Sequence, residues 1–261
     1  MRSVFSKFKG FIIDLDGVIY LDKKLIPFAK SFIAYLNKEN KRYVFLTNDS
    51  SVSPVEYSKI LSKLGINCSK NQVITPISNF IKIIKEDSTK KEKIMIFSSK
   101  KLKNYIKKQG IKIIEDLSKF KESKNVLVSG NINFNYKDLM YASLCIQNGA
   151  NLYATSIDNS YPTELGNIPA TGAIVAAITK TYSTPVTNLG KPSKKIFKLA
   201  KERLGLNKSE ILTIGDNIKT DIAGSNSSGI NSALVLTGKT SRLIANKSAI
   251  KPTYIISNLK L

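Results

Sequence analysis

Histidine and tryptophan are absent from the 261 residues of this chain, and only two cysteines and four arginines occur. The lack of histidine excludes histidine-based catalytic triads, histidine zinc sites and phosphohistidine enzymes. Cys68 and Cys145 have neither metal-ligand spacing nor the density of a disulfide framework, so they read as packing thiols. No apolar run approaches the roughly 20 residues that span a bilayer, so no membrane partner is expected. The opening stretch MRSVFSKFKGFIID has no long apolar segment followed by a small-residue cleavage site, so no signal peptide is read there. Both absences point to the cytoplasm.

What is abundant is lysine. Lysine and arginine together number 41 against 19 acidic residues, a net charge of +22. A surplus of this kind can serve nucleic-acid binding, and that reading stays open as an alternative that predicts steeply salt-dependent affinity. Against it, the only arginines, the residues suited to forked phosphate and guanine contacts, are Arg2, Arg42, Arg203 and Arg242. The lysines are spread along the whole chain, for example Lys107-Lys108, with no aromatic-rich basic motif of the kind single-strand binders use. A solvated lysine coat, which would concentrate small phosphorylated anions near the surface, is the simpler reading, and no nucleic-acid partner is expected.

Hydrophobic residues make up 42% of the chain, enough for a proper core. Strand-like and helix-like segments alternate throughout, which predicts an α/β fold with a parallel sheet. Residues 11–13 and 43–46 read as strands, and 27–40 and 54–64 as helices, the second opened by Pro54 and stopped by Gly65. Near the other end, Ser193 can cap a helix ending at Gly205, followed by strands at 211–214 and 233–236 and a short helix around 221–226. The middle has a complete pattern of its own: strands at 94–97, 111–114, 126–128 and 152–154, helices at 77–85, 99–109, 136–148 and 170–182. That predicts a second α/β domain, 77–183, inserted into a first made of 1–76 plus 184–261, with the links near Thr75-Pro76 and Thr184-Pro185.

Four short segments carry chemistry. Asp14-Leu15-Asp16-Gly17 directly follows the apolar run FII. In open parallel sheets, active sites form beyond the carboxyl ends of the strands. Two carboxylates at alternate positions there repel each other unless a cation compensates, and a hard divalent metal suits them. An ordinary Asp-Gly turn would give the same pattern. Thr47-Asn48 follows the second strand and can cradle an anion, although a capped turn would look alike. Lys191, in Gly-Lys-Pro-Ser, lies just before a helix, a good phosphate environment. Asp216, after the strand ILTI, could complete a metal site, and Asp221, five residues on, could hold Lys191, a metal-bound water or the helix end. Together these supply the nucleophile, acid, metal site and charge clamp that phosphoryl transfer needs.

With these segments in view, the chain resembles the haloacid dehalogenase superfamily of phosphohydrolases, in particular its NagD-type and 4-nitrophenylphosphatase-like branch. FIIDLDGVIY, FLTNDSS, LGKPSKKIF and IGDNIKTDI match the four motifs in order, and YPTELGNIPATGAIVAAI resembles the cap of that branch. The resemblance implies a Rossmann-like parallel-sheet core with a large inserted α/β cap of the C2 type. It implies a magnesium-dependent phosphatase in which Asp14 is the nucleophile and Asp16 the general acid and base. Thr47, Asn48 and Lys191 would bind the phosphoryl group. Asp14, Asp216 and the Asp16 carbonyl would hold Mg2+, with Asp221 behind them. Asp158, Tyr161 and Gly172 of the cap would shape the pocket. The resemblance further implies a small phosphorylated substrate (phosphoglycolate, a sugar phosphate, a nucleotide or pyridoxal phosphate) and a homodimer formed through the cap. Asp49 stands where the branch usually has asparagine and is expected to point away from the phosphate. A non-catalytic scaffold on the same fold is a further alternative, and the full set of Asp14, Asp16, Lys191 and Asp216 argues against it.

Overall fold

The computed structural model describes residues 4–21, 24–86, 93–163 and 165–261; Arg2 lies outside them. The chain forms two compact units: Met1–Thr47, Pro54–Ile74 and Lys191–Leu261 make the first, and Asn48–Ser53 and Thr75–Gly190 the second. Among the described residues no helix is long and apolar enough to cross a membrane.

The first unit is built on a six-stranded sheet in the order Tyr254–Ile256, Asn231–Val235, Ile211–Gly215, Gly10–Ile13, Arg42–Leu46, Val73–Ile74. Every neighbouring pair is parallel. All four residues of Gly10–Ile13 and all five of Ile211–Gly215 are buried. That explains why these strands read as unbroken apolar runs rather than alternating ones: a parallel sheet is covered on both faces. After Gly10–Ile13 the chain builds outward through Arg42–Leu46 and Val73–Ile74. It later returns to the other side of the first strand with Ile211–Gly215. The direction of winding therefore reverses between Gly10–Ile13 and Ile211–Gly215, and Asp14 and Asp216 follow those two strands.

Two helices show how the sequence fixes this layer. In Lys194–Leu204, Ser193 Oγ accepts from the Lys195 N–H and the helix stops at Gly205, at φ 61°. Its buried residues Ile196, Phe197, Ala200 and Leu204 share one core with Ile12, Val44 and Ile211 of the sheet. Ala29–Lys38 buries Phe32, Ile33 and Leu36. The Phe32 ring lies 4.7 Å from that of Phe5 and 5.9 Å from that of Phe11, tilted and edge-on contacts that aromatic quadrupoles favour.

The second unit has its own five-stranded parallel sheet, ordered Val186–Asn188, Asn151–Ala154, Asn125–Val128, Ile94–Phe97, Ile113–Ile114. Residues alternate between two cores, one holding Met95, Phe97, Val126 and Val128, the other Ile94, Ile96 and Leu127, as the two-residue period of a strand requires. Helices Pro76–Glu86, Lys100–Lys108, Tyr136–Gln147 and Thr171–Thr181 accompany it, with an antiparallel hairpin of Ser160–Thr163 and Gly166–Pro169.

The expected helices of the insert lie where the periodicity puts them, within a residue or so, but the strand expected over 111–114 contracts to Ile113–Ile114. The division between units also falls elsewhere. Val186–Asn188 pairs with Asn151–Ala154 in the second sheet, so the chain returns to the first unit at Lys191 and not at 184. A three-residue strand reading Val-Thr-Asn is too short to declare itself by pattern.

Replacing Phe32 with alanine should cost about 3–5 kcal/mol, the usual range for deleting a buried aromatic ring. Urea unfolding would show it as a lower midpoint with an unchanged slope.

Candidate active site

The carboxyl end of Gly10–Ile13 passes straight into Asp14, whose N–H donates to the Ile214 carbonyl of the neighbouring strand at 2.9 Å. Asp14 continues the sheet pairing by one residue, and its carboxylate is thereby fixed at the rim. The chain then turns tightly, with the Ile19 N–H donating to the Leu15 carbonyl at 2.8 Å and the Gly17 N–H to the Tyr20 carbonyl at 2.8 Å. Gly17 adopts φ 75°, and a side chain there would strike the Asp216 carboxylate. This turn leaves Asp16 exposed while Asp14 is buried.

Lys191 is 3% exposed. Its Nζ lies 2.7 Å from Asp14 Oδ1 and 2.6 Å from Asp221 Oδ1. Asp14 Oδ1 also accepts from the Leu15 N–H at 2.8 Å, and Asp221 Oδ2 accepts from the Asn217 N–H at 3.1 Å. Asp221 itself sits in a π-helical turn, Ile218–Ile222, that precedes the helix Ala223–Ser228. The helix expected from about residue 221 thus begins two residues later, and the wider turn before it carries Asp221. Such turns recur at functional sites.

Asp216 follows Ile211–Gly215. Its Oδ2 accepts from the Lys239 N–H at 2.6 Å, and its carbonyl from the Thr240 N–H at 3.1 Å. A Cβ at Gly238 would fall on that same carboxylate. The Thr237 hydroxyl donates to the Gly17 carbonyl at 2.6 Å, tying this loop to the turn after Asp14. Residues 237–240 carry little signal in the sequence, because backbone N–H groups and a missing side chain hold Asp216. The only available signal was their position, a Thr-Gly-Lys-Thr run just beyond the strand Asn231–Val235.

Carboxylate oxygens of Asp14, Asp216 and Asp221 lie within 4.8 Å of one another. Burial, with repulsion from Asp221, raises the Asp14 carboxyl well above its ordinary range, and the Lys191 ammonium opposes this only in part. Burial and Asp221 raise Asp216 too, against the Lys239 N–H that favours its anion. Burial alone would disfavour the Lys191 ammonium, but Asp14 and Asp221 more than offset it and raise its pKa. Three carboxylates thus face one ammonium. A divalent cation would bring the group to neutrality, and an all-oxygen donor set suits a hard ion.

Thr47 ends the strand Arg42–Leu46 on the other side of Gly10–Ile13; it is buried, and its N–H donates to the Ile74 carbonyl at 3.1 Å. Asn48, Asp158, Tyr161 and Gly172 belong to the second unit. There Asp158 Oδ2 accepts from the Ser156 hydroxyl at 2.7 Å, Tyr161 is half exposed on the hairpin, and the Gly172 N–H donates to the Asp158 carbonyl at 2.8 Å. A side chain at Gly172 would strike the Ile157 and Asp158 carbonyls, so a close backbone approach requires glycine. Asp49 is exposed, and its carboxylate accepts from the Ser51 N–H at 2.7 Å and hydroxyl at 2.9 Å.

Residues 11–112 match the family model described as haloacid dehalogenase-like hydrolase, and residues 188–261 match one described as HAD-hydrolase-like. The acid sugar phosphatase of Staphylococcus saprophyticus is 31% identical over 255 residues, covering 97% of this chain and 96% of that protein. This chain belongs to the haloacid dehalogenase-like hydrolases. The crystal structure of 4-nitrophenylphosphatase from Thermotoga maritima matches it with a TM-score of 0.90 at 28% identity, over 99% of this chain and 97% of that one. Glycerol phosphate phosphatase from Mycobacterium tuberculosis, solved in complex with magnesium, matches with a TM-score of 0.89 at 27% identity, over 99% and 77%. Within these hydrolases the chain is a phosphatase of the 4-nitrophenylphosphatase-like branch.

In this phosphatase, Lys191→Met would leave two buried carboxylates without their shared cation. We expect a loss of about 3–5 kcal/mol at pH 7, the usual cost of removing one partner of a buried ion pair. The loss should shrink as the pH falls and Asp14, whose carboxyl burial already raises, takes up a proton. Urea titrations of both proteins at pH 7 and pH 5 would test this; an equal deficit at the two values would contradict the electrostatic reading.

Proposed function

We propose that this phosphatase hydrolyses monoesters of small phosphorylated sugars or polyols through an aspartyl-phosphate on Asp14. The observation that carries the reading is the Lys191 ammonium held between Asp14 and Asp221, beside Asp216, at the reversal point of the sheet. The substrate class is supported by the names of the relatives, acid sugar phosphatase and glycerol phosphate phosphatase.

In the first step a carboxylate oxygen of Asp14 bonds to phosphorus as the bond to the leaving oxygen breaks, and Asp16 gives that oxygen its proton. The exposure of Asp16 suits a group that meets both substrate and water. In the second step Asp16, now ionised, takes a proton from water as the water oxygen bonds to phosphorus, and the bond to Asp14 breaks to release phosphate. Lys191 and the Thr47 hydroxyl, with the Asn48 amide, take the phosphoryl oxygens. Asp221 keeps Lys191 charged and oriented. Asp14, Asp216 and the Asp16 carbonyl would hold Mg2+, and Asp221 stands behind them because Lys191 and the Asn217 N–H occupy its two oxygens. Bound magnesium would supply the positive charge that keeps Asp14 ionised and offsets its repulsion from the incoming phosphate. Asp158, Tyr161 and the turn at Gly172 are assigned to the organic part of the substrate. We read the enzyme as cytoplasmic and self-associating through the second unit.

With 4-nitrophenyl phosphate and magnesium, Asp14→Asn should release no nitrophenol. Asp16→Asn should release about one equivalent quickly and then stall, because nitrophenolate leaves without an acid but the phospho-enzyme needs its base. Steady turnover of that variant should fall about 10²–10⁴-fold. Full activity in Asp14→Asn would sink the mechanism. Sugar phosphates turned over no faster than unrelated phosphates would sink the substrate assignment alone.

Stability offers an independent check. The folded-state pKa of Asp14 lies above its unfolded value, so the native chain holds its proton to higher pH than the unfolded chain does. The metal-stripped protein should therefore be favoured at low pH and lose stability as pH rises from about 4 through the raised value. Each kcal/mol lost should lower Tm by about 2–4 °C. Saturating magnesium should flatten the curve between pH 5 and 8, and Asp14→Asn should lessen the slope of the stripped protein, leaving the share due to Asp216. A stripped wild type with no such slope would count against the site.

A further inference from the structure

The turn that carries Asp16 is firmly held at its base. Leu15, Val18 and Ile19 are buried, and the Leu15 carbonyl accepts from the Val18, Ile19 and Tyr20 N–H groups at 3.3, 2.8 and 3.2 Å. Asp16 stands exposed above that base. Its neighbour Gly17, at φ 75°, has no Cβ to restrict it, so its torsions are the softest in the turn. The Gly17 N–H is held within the turn by the Tyr20 carbonyl at 2.8 Å. The Gly17 carbonyl is held from outside: the Thr237 hydroxyl donates to it at 2.6 Å, and among the described residues no other hydrogen bond reaches it.

Thr237 can serve as an anchor because its own loop is anchored. The Lys239 N–H donates to Asp216 Oδ2 at 2.6 Å, and the Thr240 N–H to the Asp216 carbonyl at 3.1 Å. The buried Thr240 hydroxyl accepts from the Ile218 N–H at 3.1 Å. Gly238 runs so near Asp216 that a Cβ there would lie 2.0 Å from Oδ2. The three residues after Thr237 are thus bound to the end of the buried strand Ile211–Gly215 and to the turn that follows it. The Thr237 hydroxyl takes no part in those bonds.

We propose that Thr237 is a positioning residue that sets Asp16 for its two proton transfers, an assignment that rests on the function proposed above. Asp16 adjoins Gly17, so freedom in the Gly17 torsions passes to the Asp16 carboxyl. A general acid or base works only within hydrogen-bond reach of its proton, and a small misplacement is costly. Asp14 does not depend on this bond. It is held by the Ile214 carbonyl and by the Leu15 N–H. Loss of the Thr237 hydroxyl therefore disturbs the acid and base while the nucleophile stays in place.

Thr237→Val keeps the side chain's shape and removes its donor. With magnesium, 4-nitrophenyl phosphate and enzyme in excess, nitrophenol release reports the first step, which needs no acid for so good a leaving group. Phosphate release reports the second, which needs Asp16 as base. In Thr237→Val the first should stay within about threefold of wild type while the second slows about tenfold or more. Thr237→Ser restores the donor and should bring phosphate release back to within about threefold. Added to Asp16→Asn, Thr237→Val should cost less than about twofold more, because the group it positions is already gone. Equal slowing of both steps, unchanged phosphate release in Thr237→Val, no recovery in Thr237→Ser, or an undiminished cost on top of Asp16→Asn would each overturn the assignment and leave the proposed function standing. Normal phosphate release in Asp16→Asn itself would sink that function, and this assignment with it.

Discussion

The acidic cluster of the first unit is arranged around one ammonium group. Lys191 is almost fully buried and touches two carboxylates, Asp14 and Asp221, at 2.7 and 2.6 Å. A lone lysine could not be buried this way, because desolvation would strip its proton; two anions make the charged form the stable one. The dependence runs in the other direction as well. Asp14 and Asp221 could not share so small a volume with Asp216 without a cation between them, and Lys191 removes only part of that repulsion. The unbalanced remainder is the charge that a divalent ion would offset under the function proposed above. The same constraint explains the backbone around it. Asp221 is carried by a widened turn, Asp216 is gripped by the Lys239 N–H, and glycine stands at 17 and 238, where any side chain would strike the Asp216 carboxylate.

The fold supplies this arrangement at low cost. Because winding reverses between Gly10–Ile13 and Ile211–Gly215, the segments leaving these adjacent strands diverge and open a crevice at their carboxyl ends. Asp14 and Asp216 are the residues that emerge there. Thr47 leaves the strand on the other side, and Lys191 comes from the segment that returns to this unit. Residues about 200 positions apart in sequence are thus set by the hydrogen-bond register of a buried parallel sheet, which is stiff, and not by a long loop. In the reaction proposed above, that stiffness would help, because fixed charges do not need to reorganise as the reaction proceeds.

The parts legible in the sequence were those written in side chains. Asp14, Lys191, Asp216 and Asp221 each follow a recognisable strand or precede a recognisable helix, so residue type and position together pointed to them, and the structure brings all four together. The alternating α/β pattern of both units was readable because buried parallel strands are continuous apolar runs and their helices keep the 3.6-residue period. What escaped was written in backbone. The hairpin Ser160–Thr163 and Gly166–Pro169 is polar and rich in proline and glycine, so it has no apolar alternation. Val186–Asn188 is three residues long, and its membership of the second sheet is decided by pairing with Asn151–Ala154, a contact that local propensity does not encode. The grip on Asp216 from residues 238–240 uses N–H groups that every residue but proline possesses.

Lysine shows how far one residue type can be pressed into opposite roles by burial alone. Lys191 is charged because it is enclosed by acids; the lysines along Lys194–Leu204 are charged because they face water. The two environments are three residues apart, separated by Pro192 and by Ser193, which caps the helix. The helix turns its apolar side, Ile196, Phe197 and Ala200, to the sheet, so its lysines are forced outward. Its amphipathic period leaves no other placement for those charges, because the inner side of the helix is closed by the sheet and by Gly224, which packs so near Phe197 and Pro192 that a side chain there would strike them.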